Sequence, residues 1–173
     1  MHKLVSEYVE LPIAIRRPLW RLWHTMINRM DNNQEAIFMN YGYQHLNGES
    51  RIDLEPGDEM NRYCIQLYDH VVREGEIKDK RVLEVGSGRG GGAHYIARYF
   101  KPESYTGLDI SAEVIKFCNR YYKVPNLTFK RGVAEDLPFD DGSFDAVVNV
   151  ESARCYRSIP TFFSEVKRVL KPG

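Results

Sequence analysis

The sequence predicts an α/β fold, a doubly wound parallel sheet with a helical extension at its N-terminus. From residue 81 onward, short apolar runs of strand character alternate with segments of helical period, and strands separated by helices pair in parallel. The first run, Arg81–Val85, breaks at once into Gly86-Ser87-Gly88-Arg89-Gly90-Gly91-Gly92 and then into a helical pattern (Ala93, Ile96, Ala97, Phe100). Glycines there let a ligand approach the backbone, and the helix N-terminus behind them favours a nucleotide. The second run, Tyr105–Asp109, ends on a carboxylate.

Each element has its own signal. Pro18 suits the first turn of a helix, and Leu19, Leu22, Trp23, Met26, Ile27 and Met30 follow at helical spacing, with Trp20 beside them. This aromatic-rich amphipathic helix is expected to pack on the core, to cover an apolar substrate or to touch a membrane surface. Residues 31–57 carry no sustained period and read as loop, with Phe38-Met39-Asn40-Tyr41-Gly42-Tyr43 as a functional segment. Asp58 is the expected N-cap and Gly75 the stop of a helix that turns Met60, Tyr63, Cys64, Leu67, Tyr68, Val71 and Val72 inward. A helix capped by Ser111 should bury Val114, Ile115, Cys118 and Tyr122, and strands follow at 127–131 and 144–150. The last helix should set Phe162, Phe163, Val166, Val169 and Leu170 on one side. The expected division is a helical or lid segment over 1–57 and a ligand-binding domain over 58–173.

Composition excludes several classes. Lys plus Arg and Asp plus Glu each number 24 in 173 residues, so no basic surplus points to nucleic acid and no acidic block to a disordered tail. The three cysteines form no CxxC pair and the five histidines show no metal-ligand spacing, which argues for reduced thiols and no metal. No signal peptide is evident, and no apolar run approaches the roughly 20 residues that span a bilayer. A cytoplasmic protein is expected.

Gly86, Gly88 and Gly91 alone satisfy GxGxxG, a pattern shared with nicotinamide and flavin enzymes. Glu84 argues against those, because a carboxylate two positions before the glycines would repel a pyrophosphate and hold a cation. Asp109 can accept from both hydroxyls of a ribose, which does not separate the ligand classes. The stretch from Gly132 to Asp145, with Leu137-Pro138-Phe139 at its centre, has no counterpart in the dinucleotide fingerprint.

Taken together, VLEVGSGRGG, YTGLDIS and GVAEDLPFDDGSFDAVVNVES resemble, in order, the motifs of class I S-adenosylmethionine-dependent methyltransferases. More narrowly, the stretches INRMDNNQEAIFMNYGY, EPGDEMNRYCIQLYDH and ESARCYRSIPTFFSEVKRVLKPG resemble the phthiotriol/phenolphthiotriol dimycocerosate methyltransferases and allied lipid and polyketide O-methyltransferases. The resemblance implies a Rossmann-like sheet, S-adenosyl-L-methionine as cofactor and a small or lipid-like methyl acceptor. Glu84 and the turn backbone would orient the methionine end, with Gly86, Ser87, Gly88 and Gly90 allowing close approach. Asp109 would bind the ribose and Ile110 pack on the adenine, with Val133, Ala134 and Glu135 at the ring's edge. Asn149 would lie near the methionine amino group, and Tyr41 and Tyr43 in a segment that closes over the cofactor.

Two departures stand out. Val133 replaces the family's common aspartate, leaving Glu135 as the substitute contact to the adenine amino group. Arg154 replaces a histidine suited to general-base work, and a guanidinium cannot take a proton. Glu151 is the remaining candidate base, with a structural hydrogen-bonding role as its alternative. Cys155 and His94 read as packing or surface residues. Only four of the family's seven strands are found, so the expected chain is a truncated one whose bare fourth strand is open to self-association. The leading expectation is O-methylation of a hydrophobic hydroxyl. The alternatives are a non-catalytic remnant that binds cofactor or partner and, disfavoured by Glu84, a nicotinamide dehydrogenase.

Overall fold

The computed structural model describes residues 36–46 and 52–173. The chain divides into compact units Met1–Ala36 and Ile37–Gly173, and the second holds every described residue but Ala36. The amphipathic helix expected from Pro18 to Met30 lies outside the described residues.

A 3-10 turn, Pro56–Asn61, leads into helix α1, Arg62–Val72. Strand β1 (Arg81–Val85), helix α2 (Gly91–Tyr99), strand β2 (Ser104–Asp109), helix α3 (Ala112–Tyr121) and strand β3 (Leu127–Arg131) alternate as expected. Strand β4 (Ala146–Val148), a 3-10 turn (Ala153–Cys155) and helix α4 (Ile159–Val169) complete the described order. All pairings are parallel, in the order β3-β2-β1-β4, with Leu83 beside Thr106 on one flank and Val147 on the other.

Strand β1 is central and buried on both faces, so it reads as a continuous apolar run rather than an alternating one. Val82 faces the layer that holds Ile65 and Val72 of α1, Ile96 of α2 and Cys118 of α3. Leu83 and Val85 face Phe162 and Val169 of α4 and Leu137 of the preceding loop. Ser111 caps α3 through a hydrogen bond from the Val114 N–H at 3.3 Å, and Val114, Ile115, Cys118 and Tyr122 are buried as their spacing predicts.

Four expectations need correction. Asp58 does not cap a helix. Pro56 opens a 3-10 turn instead, and the Asp58 carboxylate accepts from the Arg98 guanidinium at 3.2 Å and the Tyr99 hydroxyl at 2.7 Å. Helix α1 offers two adjoining apolar stripes, and Ile65, Tyr68 and Val72 are the ones buried, while Met60, Tyr63 and Val71 face solvent. Buried polar partners decide between them: the Tyr68 hydroxyl reaches Glu84, and Asp69 accepts from the Tyr95 hydroxyl at 2.7 Å. On α4, Phe162 takes the inward place and Phe163 stays 62% exposed. The fourth strand is also shorter than its apolar run. Phe144 pairs instead with the end of α4, its N–H donating to the Val169 carbonyl at 3.0 Å.

Candidate functional site

The site is built around the turn between β1 and α2. Gly86 and Gly90 adopt φ of 81° and 79°, in the left-handed region that favours glycine. A Cβ on Gly86 would collide with the Ser152 side chain, and one on Gly90 with Tyr122 and Phe129. The N–H groups of Gly86 and Ser87 both donate to the Leu108 carbonyl, at 2.7 and 2.9 Å, fastening the turn to the end of β2.

Asp109 stands at that end. Its carboxylate accepts from the Gly88 N–H at 3.1 Å and the Ser111 N–H at 2.9 Å. Burial pushes its pKa up, and those backbone donors work against the rise. Ile110 and Val133 are exposed apolar side chains at the ends of β2 and β3, at 47% and 38%, while Ala134 is buried. The Glu135 carboxylate is engaged elsewhere: it accepts from the backbone N–H of Arg157 and, at 3.3 Å, of Ser158, at the start of α4.

A strap, residues 37–43, crosses the turn. The Ile37 carbonyl accepts from the Gly91 N–H at 3.1 Å, one of the leading donors of α2. The Phe38 ring meets Tyr68 edge-on at 6.1 Å, and Met39 Sδ lies 3.7 Å from where a Cβ on Gly88 would stand. Asn40 donates to the Cys64 carbonyl at 3.1 Å and the Tyr43 N–H to the Tyr63 carbonyl at 2.9 Å, so α1 carries the strap. Tyr41 is exposed, with the Arg154 guanidinium 5.3 Å from its ring centre.

On the opposite side, the segment after β4 converges on the Val85 carbonyl. Asn149 Nδ2 lies 2.9 Å from it, 2.8 Å from Ser152 Oγ and 2.7 Å from the Tyr156 hydroxyl. Ser152 and Tyr156 reach the same carbonyl at 2.9 and 3.0 Å.

The two acidic residues flanking these loops differ sharply. Glu84 is fully buried, and its two carboxylate oxygens accept from Tyr68 at 2.9 Å and Tyr105 at 3.1 Å. Burial pushes its pKa up to about 7, against the lowering effect of the two hydroxyls. Glu151 sits in a left-handed backbone conformation, φ 54°, and its Oε2 is enclosed without a hydrogen-bond partner. Ser87 Oγ is likewise enclosed and unpartnered. Burial, and after it the Glu151 charge, pushes the Cys64 thiol up, which places that carboxylate near α1.

The turn, Asp109, Ile110, Val133, Asn149, Glu151 and Tyr41 thus gather at the C-terminal ends of the strands, where open α/β sheets bind ligands. Glu84 faces the core, and Glu135 turns its carboxylate to α4. Sequence reasoning missed Tyr68 and Tyr105, whose buried hydroxyls require partners, and the Ser152–Tyr156 pair, which no sequence signal marks. Among the described residues, no group of three metal-ligating side chains comes together and no helix is long and apolar enough to cross a membrane.

Comparison with known proteins agrees with this geometry. The methyltransferase domain family matches residues 83–173. A fatty-acid O-methyltransferase of Mycolicibacterium smegmatis is 44% identical over 163 residues, 94% of this chain and 59% of the relative. A phthiotriol/phenolphthiotriol dimycocerosates methyltransferase of Mycobacterium tuberculosis is 44% identical over 155 residues, 90% of this chain and 57% of the relative. The chain therefore spans about three-fifths of the length of these relatives. A SAM-dependent methyltransferase from Aquifex aeolicus shares the fold, with a TM-score of 0.57 at 20% identity over 68% of this chain and 63% of that one. With its glycine turn, its carboxylate at the end of β2 and its strand order, the chain belongs to the methyltransferase domain family, in the S-adenosylmethionine-dependent class.

Proposed function

We propose that this chain carries the cofactor-binding part of an O-methyltransferase whose acceptor is a hydrophobic, lipid or polyketide-like hydroxyl. The observation that carries the reading is the grouping of Gly86, Gly88, Asp109, Ile110 and Val133 at or just beyond the C-terminal ends of β1, β2 and β3, in a chain 44% identical to lipid O-methyltransferases. The orphaned Ser87 Oγ and Glu151 Oε2, together with the left-handed turn, fit a polar ligand with a nucleoside at one end.

S-adenosylmethionine, when bound, supplies an electrophilic methyl group on a sulfonium sulfur. Asp109, already fixed by two backbone N–H groups, is set to accept from the ribose hydroxyls. Ile110 and Val133 are exposed apolar side chains that would pack on the adenine, and Ala134 and the Glu135 backbone would lie at its edge. The strap and the segment after β4 close the opposite side, with Tyr41 and Arg154 meeting at the rim. Their task is to exclude water and hold the acceptor oxygen in line with the methyl carbon. An acceptor hydroxyl held there would receive the methyl group that the cofactor supplies and give up its proton to water or to the Glu151 carboxylate.

One observation favours a second acceptor class. Arg154 at the rim suits a carboxylate, which needs no base, and the Mycolicibacterium relative is a fatty-acid O-methyltransferase. The same reading places the protein in the cytoplasm, in peripheral contact with lipid surfaces through exposed apolar side chains such as Met60 and Tyr63. Self-association would use the outer edge of β4, an end strand of the described sheet.

Incubation with labelled S-adenosylmethionine and either a long-chain secondary alcohol or a long-chain fatty acid tests the assignment. Label in the alcohol supports the hydroxyl reading and label in the acid the second. Cofactor binding with neither product leaves the non-catalytic remnant, and tight NADH binding with no S-adenosylmethionine binding refutes all three.

A further inference from the structure

We infer that the cavity between α1 and the end of the strap is a second ligand site, and that it takes a neutral, flat ring bearing one O–H or N–H donor, the chemistry of a phenol or an indole. Its walls include no residue of the glycine turn, of the segment after β4 or Asp109, so the inference stands apart from the cofactor assignment.

The cavity measures about 230 Å3. Three rings wall it. Tyr43, the last residue of the strap, stacks on His70 of α1 with centroids 4.3 Å apart and planes 11° apart. His45 stands edge-on to both, at 4.9 and 5.9 Å, and its Nδ1 lies 3.2 Å from the Tyr43 hydroxyl. Ile52, 9% exposed, adds an aliphatic wall. Rings set at these angles favour a flat partner, which can lie against one and meet another by its edge.

The polar groups are few, and nearly all are engaged. Asp69, 5% exposed, accepts from the Tyr95 hydroxyl and from Arg73 Nε, both at 2.7 Å. Gln66, 7% exposed, donates its amide N–H to the Tyr43 carbonyl at 3.1 Å, while its Oε1 has no donor among the described residues. That oxygen is the acceptor left for a ligand, and a buried acceptor without a donor is costly. Water suits the space poorly: at about 30 Å3 each, roughly seven molecules would fill it, and each needs two or more polar partners. An ion suits it no better. Arg73 and Asp69 neutralise one another at 2.6 Å, and Glu74 lies past the end of α1, exposed to solvent. The two imidazoles do not make a metal centre, since no group of three ligating side chains comes together among the described residues. An uncharged ring with one donor answers both the walls and the open oxygen.

Calorimetry with p-cresol as the probe tests the site, beside 4-methylanisole, in which a methyl group replaces the hydroxyl proton. p-Cresol should bind one to one with a Kd of roughly 1 mM or tighter. The ether should bind about 5- to 10-fold more weakly, the scale of one hydrogen bond. In Gln66→Leu the two affinities should agree within about twofold, and retained binding of the ether shows that the cavity is still formed. A second readout needs no variant. In the unsubstituted protein p-cresol should move the NMR ring-proton signals of His45 and His70 and leave those of His94, whose ring lies against Tyr122, in place. Saturating S-adenosylhomocysteine should not displace the probe. No p-cresol heat up to about 10 mM, unmoved His45 and His70 signals, a ratio preserved in Gln66→Leu, or displacement by S-adenosylhomocysteine overturns the inference.

Discussion

Replacing Glu84 with Gln should remove a pH dependence of stability that the buried carboxyl imposes. The Gln amide can still accept from one tyrosine and donate to the other, so the strut between α1 and β2 is kept. In the folded protein burial lifts the Glu84 pKa from an ordinary 4.5 to about 7. Below about pH 4.5 the carboxyl is protonated whether the chain is folded or not, and its contribution is complete. Between 4.5 and about 7 the unfolded chain ionises while the folded one does not, so stability falls as pH rises. Above about 7 both are ionised and the loss is finished. At roughly 1.4 kcal/mol per pH unit, the interval amounts to about 3 kcal/mol. Asp145 and Glu165 have depressed pKa values, so their contributions are present above the ordinary carboxylate range and fade as pH falls into acid. They titrate identically in both proteins and cancel in the difference. Urea unfolding of the two proteins at pH 4.5, 6 and 8 measures that difference. The Gln variant should gain about 3 kcal/mol on the unsubstituted protein between the first and last of these. A difference that stays flat across the range refutes a neutral, buried Glu84.

Other outcomes follow from single contacts. Gly92→Ala should destabilise the protein by about 1–3 kcal/mol or more in thermal unfolding, because the new methyl meets the Tyr68 ring. Ser158→Ala should cost about 1 kcal/mol, since its side chain accepts from the Thr161 N–H at the start of α4. Asp109→Ala should weaken S-adenosylhomocysteine binding at least about tenfold in calorimetry by removing a charged acceptor. A double-mutant cycle of Tyr41→Ala and Arg154→Ala on cofactor affinity should return a coupling of about 0.5–1 kcal/mol, the scale of an exposed cation–aromatic pair.

Local signals made the sheet readable. Glycines at 86, 88 and 90, the Ser111 cap and the apolar runs of β1 to β3 each point to one conformation, and the structure adopts them all. Helix α1 buries Tyr68 and Val72 as its spacing predicts but leaves Met60, Tyr63 and Val71 exposed, because its rotation is fixed by partners distant in sequence, Glu84 among them. The same long-range coupling hid the environment of Glu84. Its position before the turn suggests a ligand contact, but the alternation of β1 aims it at the core beside Val82. Glu135 was similarly opaque, since its carboxylate meets backbone N–H groups more than twenty positions ahead. Asn149 stands just past β4, on the segment that folds back on the end of β1. Its partners Ser152 and Tyr156, however, depend on how a loop folds back on Val85, which has no periodic signature.

The Ile37 carbonyl at the front of α2 bears on how the chain should be shortened. A recombinant fragment started at residue 58, where the helical pattern begins, would discard the acceptor for the Gly91 amide and the covering that Phe38 and Met39 give the turn. Such a piece could keep its sheet and still recognise nothing. The smallest portion suited to ligand studies begins no later than Ile37.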